Sequence, residues 1–529
     1  MKQLQDFIIK NVRIIDGTGA PYFHGEAAVR DGFITQTCRK AFGDAVRVID
    51  GRGMILAPGF IDSHSHSDVT WFFDPRGESK LMQGVTTEVN GQCGGSAAPV
   101  TEKRKAAQVA SESNEDLRTF PTFAAYMDAL ERNGVGLNIA PLVGHGVVRS
   151  SAMGYEDRRP TPSELNEMKG FIVEAMEAGA FGYSSGLIYP PSSYAKTDEL
   201  IELAKAMAPY GGIYATHMRN EGANLLESVQ EAITIGREAG IRVQISHHKA
   251  TGTEKVWGLV NDSLKMIELA REQGLDVQCD QYPYTASATS FATNIPAWAH
   301  EGGPKALLGR LKHPESSARI KEEWEAKRKD GGWSHLMIAS VASARNRFAQ
   351  GKRVPEVAEI WGIPEVDAAV RLLIEEELQV READFGMCEE DVRTVMRHPC
   401  VMIGSDASAT ALDGPLAKGF PHPRTFGTFP RVLGKYVRED KVLPLEQAVF
   451  KMTGMPAARL HIWDRGVIRP GARADLVLFD PDTIVDTATF AVPCQYPNGI
   501  EWVMVNGVMA IEDGRHTGKI AGRVLRRSF

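Results

Sequence analysis

Two patterns of apolar and polar positions divide the chain. From residue 7 to 50, short β-rich runs (7–9, 12–15, 27–30 and 46–49) alternate with Gly and Asp turns, the pattern of a small antiparallel sheet. Runs 474–479, 502–505 and 508–511 repeat that pattern near the other end, with Asn506-Gly507 as a two-residue hairpin turn. The two ends are predicted to close one β-sandwich, residues 1–56 with 466–529, around a central unit of residues 57–465.

Within the central unit, apolar strand-like runs alternate with helical patterns such as Leu225–Ala239 and 263–273, each followed by glycine. The strand candidates end in polar residues: His64 and His66, then Cys93, His145, Ser184 with Ser185, His217, His247, Asp280 with Tyr282, and Asp406. Eight βα units predict an α/β fold, a (β/α)8 TIM-type barrel carrying the small β-sandwich domain. Such barrels keep their chemistry at the C-terminal ends of the strands, where these polar residues fall.

Composition narrows the classes. The chain has 529 residues, enough for a barrel plus a smaller domain, and its net charge of -7 offers no basic field for nucleic acid or anionic lipid. No apolar run of membrane-spanning or signal-peptide length occurs, so the expectation is a cytoplasmic protein without membrane or nucleic-acid partners. Six cysteines lie scattered without short paired spacings, which argues against a disulfide framework. The oligomeric state stays open.

His64 and His66 are two apart after an apolar run, so on a strand both imidazoles face one side, a half-site for a divalent metal. Alone, His-x-His is a weak signal and reads more readily as a surface pair beside a turn. Joined by Cys93, His217, His247 and Asp406 at other strand ends, it reads as a metal site, while His145 and His248 read as structural. Strand parity puts Lys249 on the His247 side and His248 on the other, so Lys249 is a candidate for an anionic group.

The motifs Pro58-Gly-Phe-Ile-Asp-Ser-His-Ser-His66, Gly91-Gln-Cys-Gly-Gly95, Thr216-His-Met-Arg219, Ser246-His-His-Lys249, Asp280-Gln-Tyr-Pro-Tyr284, Gly404-Ser-Asp406 and His422-Pro-Arg424 resemble the amidohydrolase superfamily. Within it they are similar to the N-acyl-D-amino-acid deacylases, the D-aminoacylases, over nearly the whole chain. Many relatives bridge two metals with a carboxylated lysine on the fourth strand, yet residues 182–187 contain none. A Cys93 thiolate suits zinc in its place. The resemblance implies one tight zinc site at Cys93, His217 and His247, with His64, His66 and Asp406 around a second, weaker position.

That resemblance also implies the chemistry. Three protein ligands leave a coordination position where zinc lowers the pKa of water toward ~7. An ionised Asp406 then takes the water proton and returns it to the leaving nitrogen, which departs badly as an anion. Lys249, Tyr282 and Arg424 are implied to hold the α-carboxylate of a small N-acyl amino acid.

An inserted segment, roughly residues 286–350, reads as a lid over the strand ends, with helix seven of the barrel at 367–378. Residues 286–300 carry Phe291 and Trp298 and no Lys or Arg, which favours a hydrophobic substrate side chain. The loop 407–418 is long for a D-aminoacylase, which keeps a D-amino-acid-containing dipeptide in view. A cyclic-amide hydrolase of the hydantoinase type is a further alternative. A barrel retained only as a non-enzymatic scaffold is disfavoured because every ligand position is filled.

Overall fold

Strand Gln5–Ile14 seeds the terminal sheet in the computed structural model, which describes residues 4–107, 120–329 and 332–527. The outermost residues of both terminal β segments and residues 330–331 of the inserted segment lie outside that description. Gln5–Ile14 pairs antiparallel with Phe23–Arg30 and parallel with Ala45–Asp50 and Ile55–Pro58. Ile55–Pro58 in turn pairs antiparallel with Leu476–Phe479, followed by Ile500–Val505 and Val508–Glu512. The two ends of the chain are thus one hydrogen-bonded sheet of nine strands. Its inner face packs Ile9, Val12, Leu56, Leu476, Leu478 and Trp502. Asn506 and Gly507 turn with φ of 50° and 81°, the left-handed pair that a two-residue hairpin needs.

Pro58 and Gly59 end Ile55–Pro58 and start the central unit. Strands Phe60–Asp62, Val85–Glu88 and Asn138–Ile139 form a parallel sheet of three. Val143–Gly144, Gly182–Gly186, Ile213–His217, Arg242–Ile245, Val277–Gln281 and Val401–Ile403 form a parallel sheet of six. Pro141, with no N–H to give a ladder, separates Asn138–Ile139 from Val143–Gly144, so the chain passes directly from one sheet to the other. At the far edge, Ser63 N–H donates to Ile403 O at 3.4 Å, and Ser65 bridges Ala407 in parallel. The last strand therefore lies beside the first.

Helices cover these strands with the stripes that their spacing predicts. Leu225–Ala239 buries Leu225, Val229, Ala232 and Ile233 and stops at Gly240, whose φ of 65° suits a residue without Cβ. Thr161 and Glu164 form a capping box that starts Pro162–Glu177. Among the described residues no helix is long and apolar enough to cross a membrane.

The inserted unit has its own antiparallel sheet, in which Val380–Asp384 lies between Ser287–Ser290 and Leu336–Val341. Its separate core joins Phe291, Trp324, Leu336, Val357, Leu372 and Leu373. Helix Glu365–Glu375, expected as the seventh helix of the central unit, buries its stripe in this core instead. Glu389–Arg397 takes the expected place, against helix Leu259–Glu272 and strand Val401–Ile403. Periodicity shows that a stripe exists, not which core it faces.

Candidate metal centre

Each of the six sequence-predicted ligands lies at the C-terminal end of a parallel strand. His64 and His66 follow Phe60–Asp62, Cys93 follows Val85–Glu88, His217 ends Ile213–His217, His247 follows Arg242–Ile245, and Asp406 follows Val401–Ile403. Cys93 Sγ lies 3.4 Å from Nε2 of His64 and 3.4 Å from Nε2 of His247. His66 Nε2 lies 2.9 Å from Asp406 Oδ1. The side chains form two groups whose ligand atoms lie within 4.8 Å of one another: His64, His66, Cys93 and Asp406, and Cys93, His217 and His247. Cys93 belongs to both. Three of these residues, Cys93, His247 and Asp406, hold left-handed backbone with φ of 53°, 34° and 52°. For residues with a Cβ this is strained, and such strain concentrates where side chains must be aimed.

The surrounding hydrogen bonds explain how that strain is held. Ser184, on the fourth strand of the central unit, accepts from Gly94 N–H at 3.0 Å and donates to the carbonyl of Gly91. A Cβ on Gly186 would sit 2.1 Å from the Cys93 carbonyl oxygen, so only glycine admits the thiolate loop there. In place of a ligating lysine, the fourth strand clamps the loop that carries the thiolate. Asp280 accepts from His247 N–H at 2.7 Å and from Gln244 Nε2 at 2.9 Å, and lies 3.1 Å from His64 Nδ1. Beneath Asp406, the buried Lys80 ammonium donates to Asp62 at 2.6 Å, Ser405 Oγ at 2.7 Å and Ala407 O at 2.7 Å, tying the first strand to the last.

Charge in the site is uneven. Burial disfavours a Cys93 thiolate, but His64 and His247 outweigh it and hold the thiol well below its usual range. Burial likewise acts against a charged Asp406, but Arg424, 2.8 Å away, together with His247, His66 and His64 more than compensates and holds the carboxyl well below its usual range. Glu221, absent from the sequence reading, accepts from Lys249 Nζ at 2.7 Å and lies 2.9 Å from His247 Nδ1. Lys249, His217 and His247 overcome its burial and hold it well below the ordinary carboxylate range. It orients His247 through the ring nitrogen that faces away from Cys93.

The expected substrate-binding residues lie around the same cavity, of about 600 Å³, which Lys249 and Tyr282 line. Lys249 is engaged by Glu221 and by His247 O at 3.0 Å. Arg424 lines an adjoining cavity of about 270 Å³ and packs its guanidinium 4.7 Å over the Tyr282 ring. His145, read as structural, is buried between Ser192 at 2.9 Å and Glu199 at 3.1 Å, and His248 meets Ser263 at 2.8 Å. Phe291 and Trp298 do not line the cavity: Phe291 packs on Trp324, and Trp298 donates to Glu323 at 3.0 Å. Residues 287–294 face it instead with Ser287, Thr289, Ser290, Thr293 and Asn294. The argument for a hydrophobic substrate side chain therefore loses its basis.

The donor set fits a zinc ion. A soft thiolate and neutral imidazoles are its preferred partners. Both ring nitrogens of buried His217 are without a hydrogen-bond partner among the described residues, and its nearest carboxylate, Glu221, is 3.5 Å away. Such a histidine beside a thiolate is placed to ligate.

Parallel strands with a Cys/His/Asp donor set at their C-terminal rim define an α/β protein built around a metal site. The Amidohydrolase family model matches residues 47–511. The chain belongs to the amidohydrolase family, in its branch of N-acyl-D-amino-acid deacylases. It is 36% identical to an N-acyl-D-aspartate deacylase of Alcaligenes xylosoxydans xylosoxydans, over 97% of this chain and 93% of that protein. A D-aminoacylase of the same organism is also 36% identical, over 99% of this chain and 98% of that one. The structure is similar to the crystal structure of N-acyl-D-glutamate deacylase from Bordetella bronchiseptica, complexed with zinc and a phosphonate inhibitor. That match has a TM-score of 0.83 and 35% identity, covering 99% of this chain and 100% of that one.

Proposed function

We propose that this protein hydrolyses the amide bond of N-acyl-D-amino acids, releasing a carboxylate and a free D-amino acid. Cys93, His217 and His247 would hold one zinc ion tightly, and His64, His66 and Asp406 would surround a second, weaker position. The two parallel sheets act in this reading as one (β/α)8 barrel, residues 57–465. Residues 1–56 and 466–529 form the small β domain, and the inserted unit is a lid that keeps water from the site.

Zinc, when bound, supplies an electrophile and acidifies water. Asp406 takes the proton of the attacking water and passes it to the nitrogen as the C–N bond breaks, so the amine leaves neutral. Glu221 and Asp280 keep His247 and His64 oriented. Arg424, with a planar guanidinium matched to a carboxylate, and the Tyr282 face beneath it fix the α-carboxylate.

One observation carries the reading. Asp406 stands between His66 at 2.9 Å and Arg424 at 2.8 Å, so the proton carrier separates the metal ligands from a carboxylate-binding cation. The test is a screen of zinc-replete enzyme against paired N-acetyl-D- and N-acetyl-L-amino acids, with hydantoin and dihydrouracil alongside. Turnover of D-substrates alone is the expected result; turnover of the cyclic amides alone would replace it with the hydantoinase type of reaction.

A further inference from the structure

The inserted unit brings into the cavity a cation that forms no ion pair with any acid among the described residues. Arg381, on Val380–Asp384, is paired with Ser290 on one side and Ser340 on the other. Its side chain is exposed although its strand is the middle one of the sheet, because it lines both the cavity of about 600 Å³ and the adjoining one of about 270 Å³. Asp406 lines both as well, so Arg381 stands where the two meet beside the reacting centre.

The acids around it are engaged elsewhere. Asp406 pairs with Arg424 at 2.8 Å, and Asp384 with Arg328 at 3.1 Å. Both Glu382 oxygens lie within hydrogen-bond distance of Asn294 Nδ2, at 2.8 and 2.9 Å, and burial pushes this carboxyl up to about 8, so it is largely neutral at pH 7. Among the described residues no carboxylate lies within ion-pair distance of the Arg381 guanidinium. Of the charges around it, the like charge of Arg424 acts on it most strongly. Lys418 lines the smaller cavity and adds a second positive charge there. Holding guanidinium groups close together among protein atoms is costly unless an anion joins them, and a planar guanidinium is matched to a carboxylate.

We propose that Arg381, with Lys418 beyond it, receives a second carboxylate of the substrate, so that N-acyl-D-amino acids with an acidic side chain are the favoured class. This rests on the deacylase reading, in which Arg424 takes the α-carboxylate. Two receptors for two carboxylates then account for both cations at the junction of the cavities.

The test compares N-acetyl-D-glutamate with its uncharged isostere N-acetyl-D-glutamine and with N-acetyl-D-methionine, on wild type, Arg381→Met and Arg381→Lys, all at matched zinc content. Wild type should favour the glutamate by about ten- to a hundredfold in kcat/KM. Arg381→Met should lose that preference chiefly through KM, while the neutral substrates change by less than about threefold. Arg381→Lys should recover part of it. An equal loss on all three substrates, or none, would overturn the assignment. Wild type that turns over the neutral substrates as well as the glutamate overturns this inference alone; wild type that turns over none overturns the deacylase reading and this inference with it.

Discussion

Arg424 and Asp406 form an ion pair at 2.8 Å, with Asp406 reaching His66 through its other oxygen at 2.9 Å. The guanidinium is held on its far side by Ala288 O at 3.0 Å and lies against the Tyr282 ring. The residue proposed to bind the substrate carboxylate is therefore also the counter-charge of the residue proposed to move the proton. Those two roles give different signatures.

As a carboxylate receptor, Arg424→Lys should lose part of the contact and Arg424→Ala more, roughly tenfold to a few hundredfold in kcat/KM. A substrate with an uncharged amide in place of the α-carboxylate should be poor for wild type, and Arg424→Ala should no longer separate it from the acid as strongly. As counter-charge, Arg424 is the largest of the charges that keep Asp406 ionised against burial, with His247, His66 and His64 beside it. Its removal should raise the Asp406 pKa and carry the acid limb of the kcat profile to higher pH. An unmoved limb with reduced kcat/KM would leave only the receptor role.

Asp406→Asn keeps the size of the side chain and removes its proton transfer. Zinc content and fold should be retained while kcat falls by at least ~100-fold. Near-normal kcat would take Asp406 out of the acid/base role.

Cys93 belongs to both ligand groups, so Cys93→Ala should lose most zinc and activity. Cys388→Ala, outside both groups, should change neither greatly. Gly186→Ala tests the same thiolate indirectly, because the new Cβ would press on the Cys93 carbonyl from 2.1 Å. Metal analysis should rank zinc content as wild type, then Gly186→Ala, then Cys93→Ala. Full occupancy in Cys93→Ala would remove the thiolate from the site.

The ligand positions were legible because a strand imposes a strict period: apolar residues that end in a polar one mark where side chains emerge, at His64, His217 and Asp406 alike. Glu221 was not, since it sits in a loop four residues past His217 where no period applies and only the folded chain brings it to His247. Arg381 escaped for a different reason. It lies far along the chain from every motif, and strand pairing with Ser290 and Ser340 is what turns it toward the cavity. The same limit misplaced Phe291 and Trp298, whose aromatic character was readable but whose burial in a separate core was not.

Glu382 should make stability depend on pH. It is almost fully buried on Val380–Asp384, where burial first, and then the Asp384 charge, push its carboxyl up to about 8 against Arg328 and Asn294. In an unfolded chain the same group titrates near ~4.3. Between those values the unfolded chain has released a proton that the folded protein keeps, so the unfolded state binds fewer protons and stability falls as pH rises. The full contribution is present below the unfolded value, is lost progressively through this window, and levels off above the folded one. Its size is on the order of a few kcal/mol, since one pKa unit corresponds to about 1.4 kcal/mol. Glu382→Gln keeps the shape and an acceptor for Asn294 but has nothing to ionise. Melting temperatures of variant and wild type should lie nearest each other at pH 4 and diverge toward pH 8, with the variant higher. A difference that stays constant across that range would mean that Glu382 does not titrate between the two states.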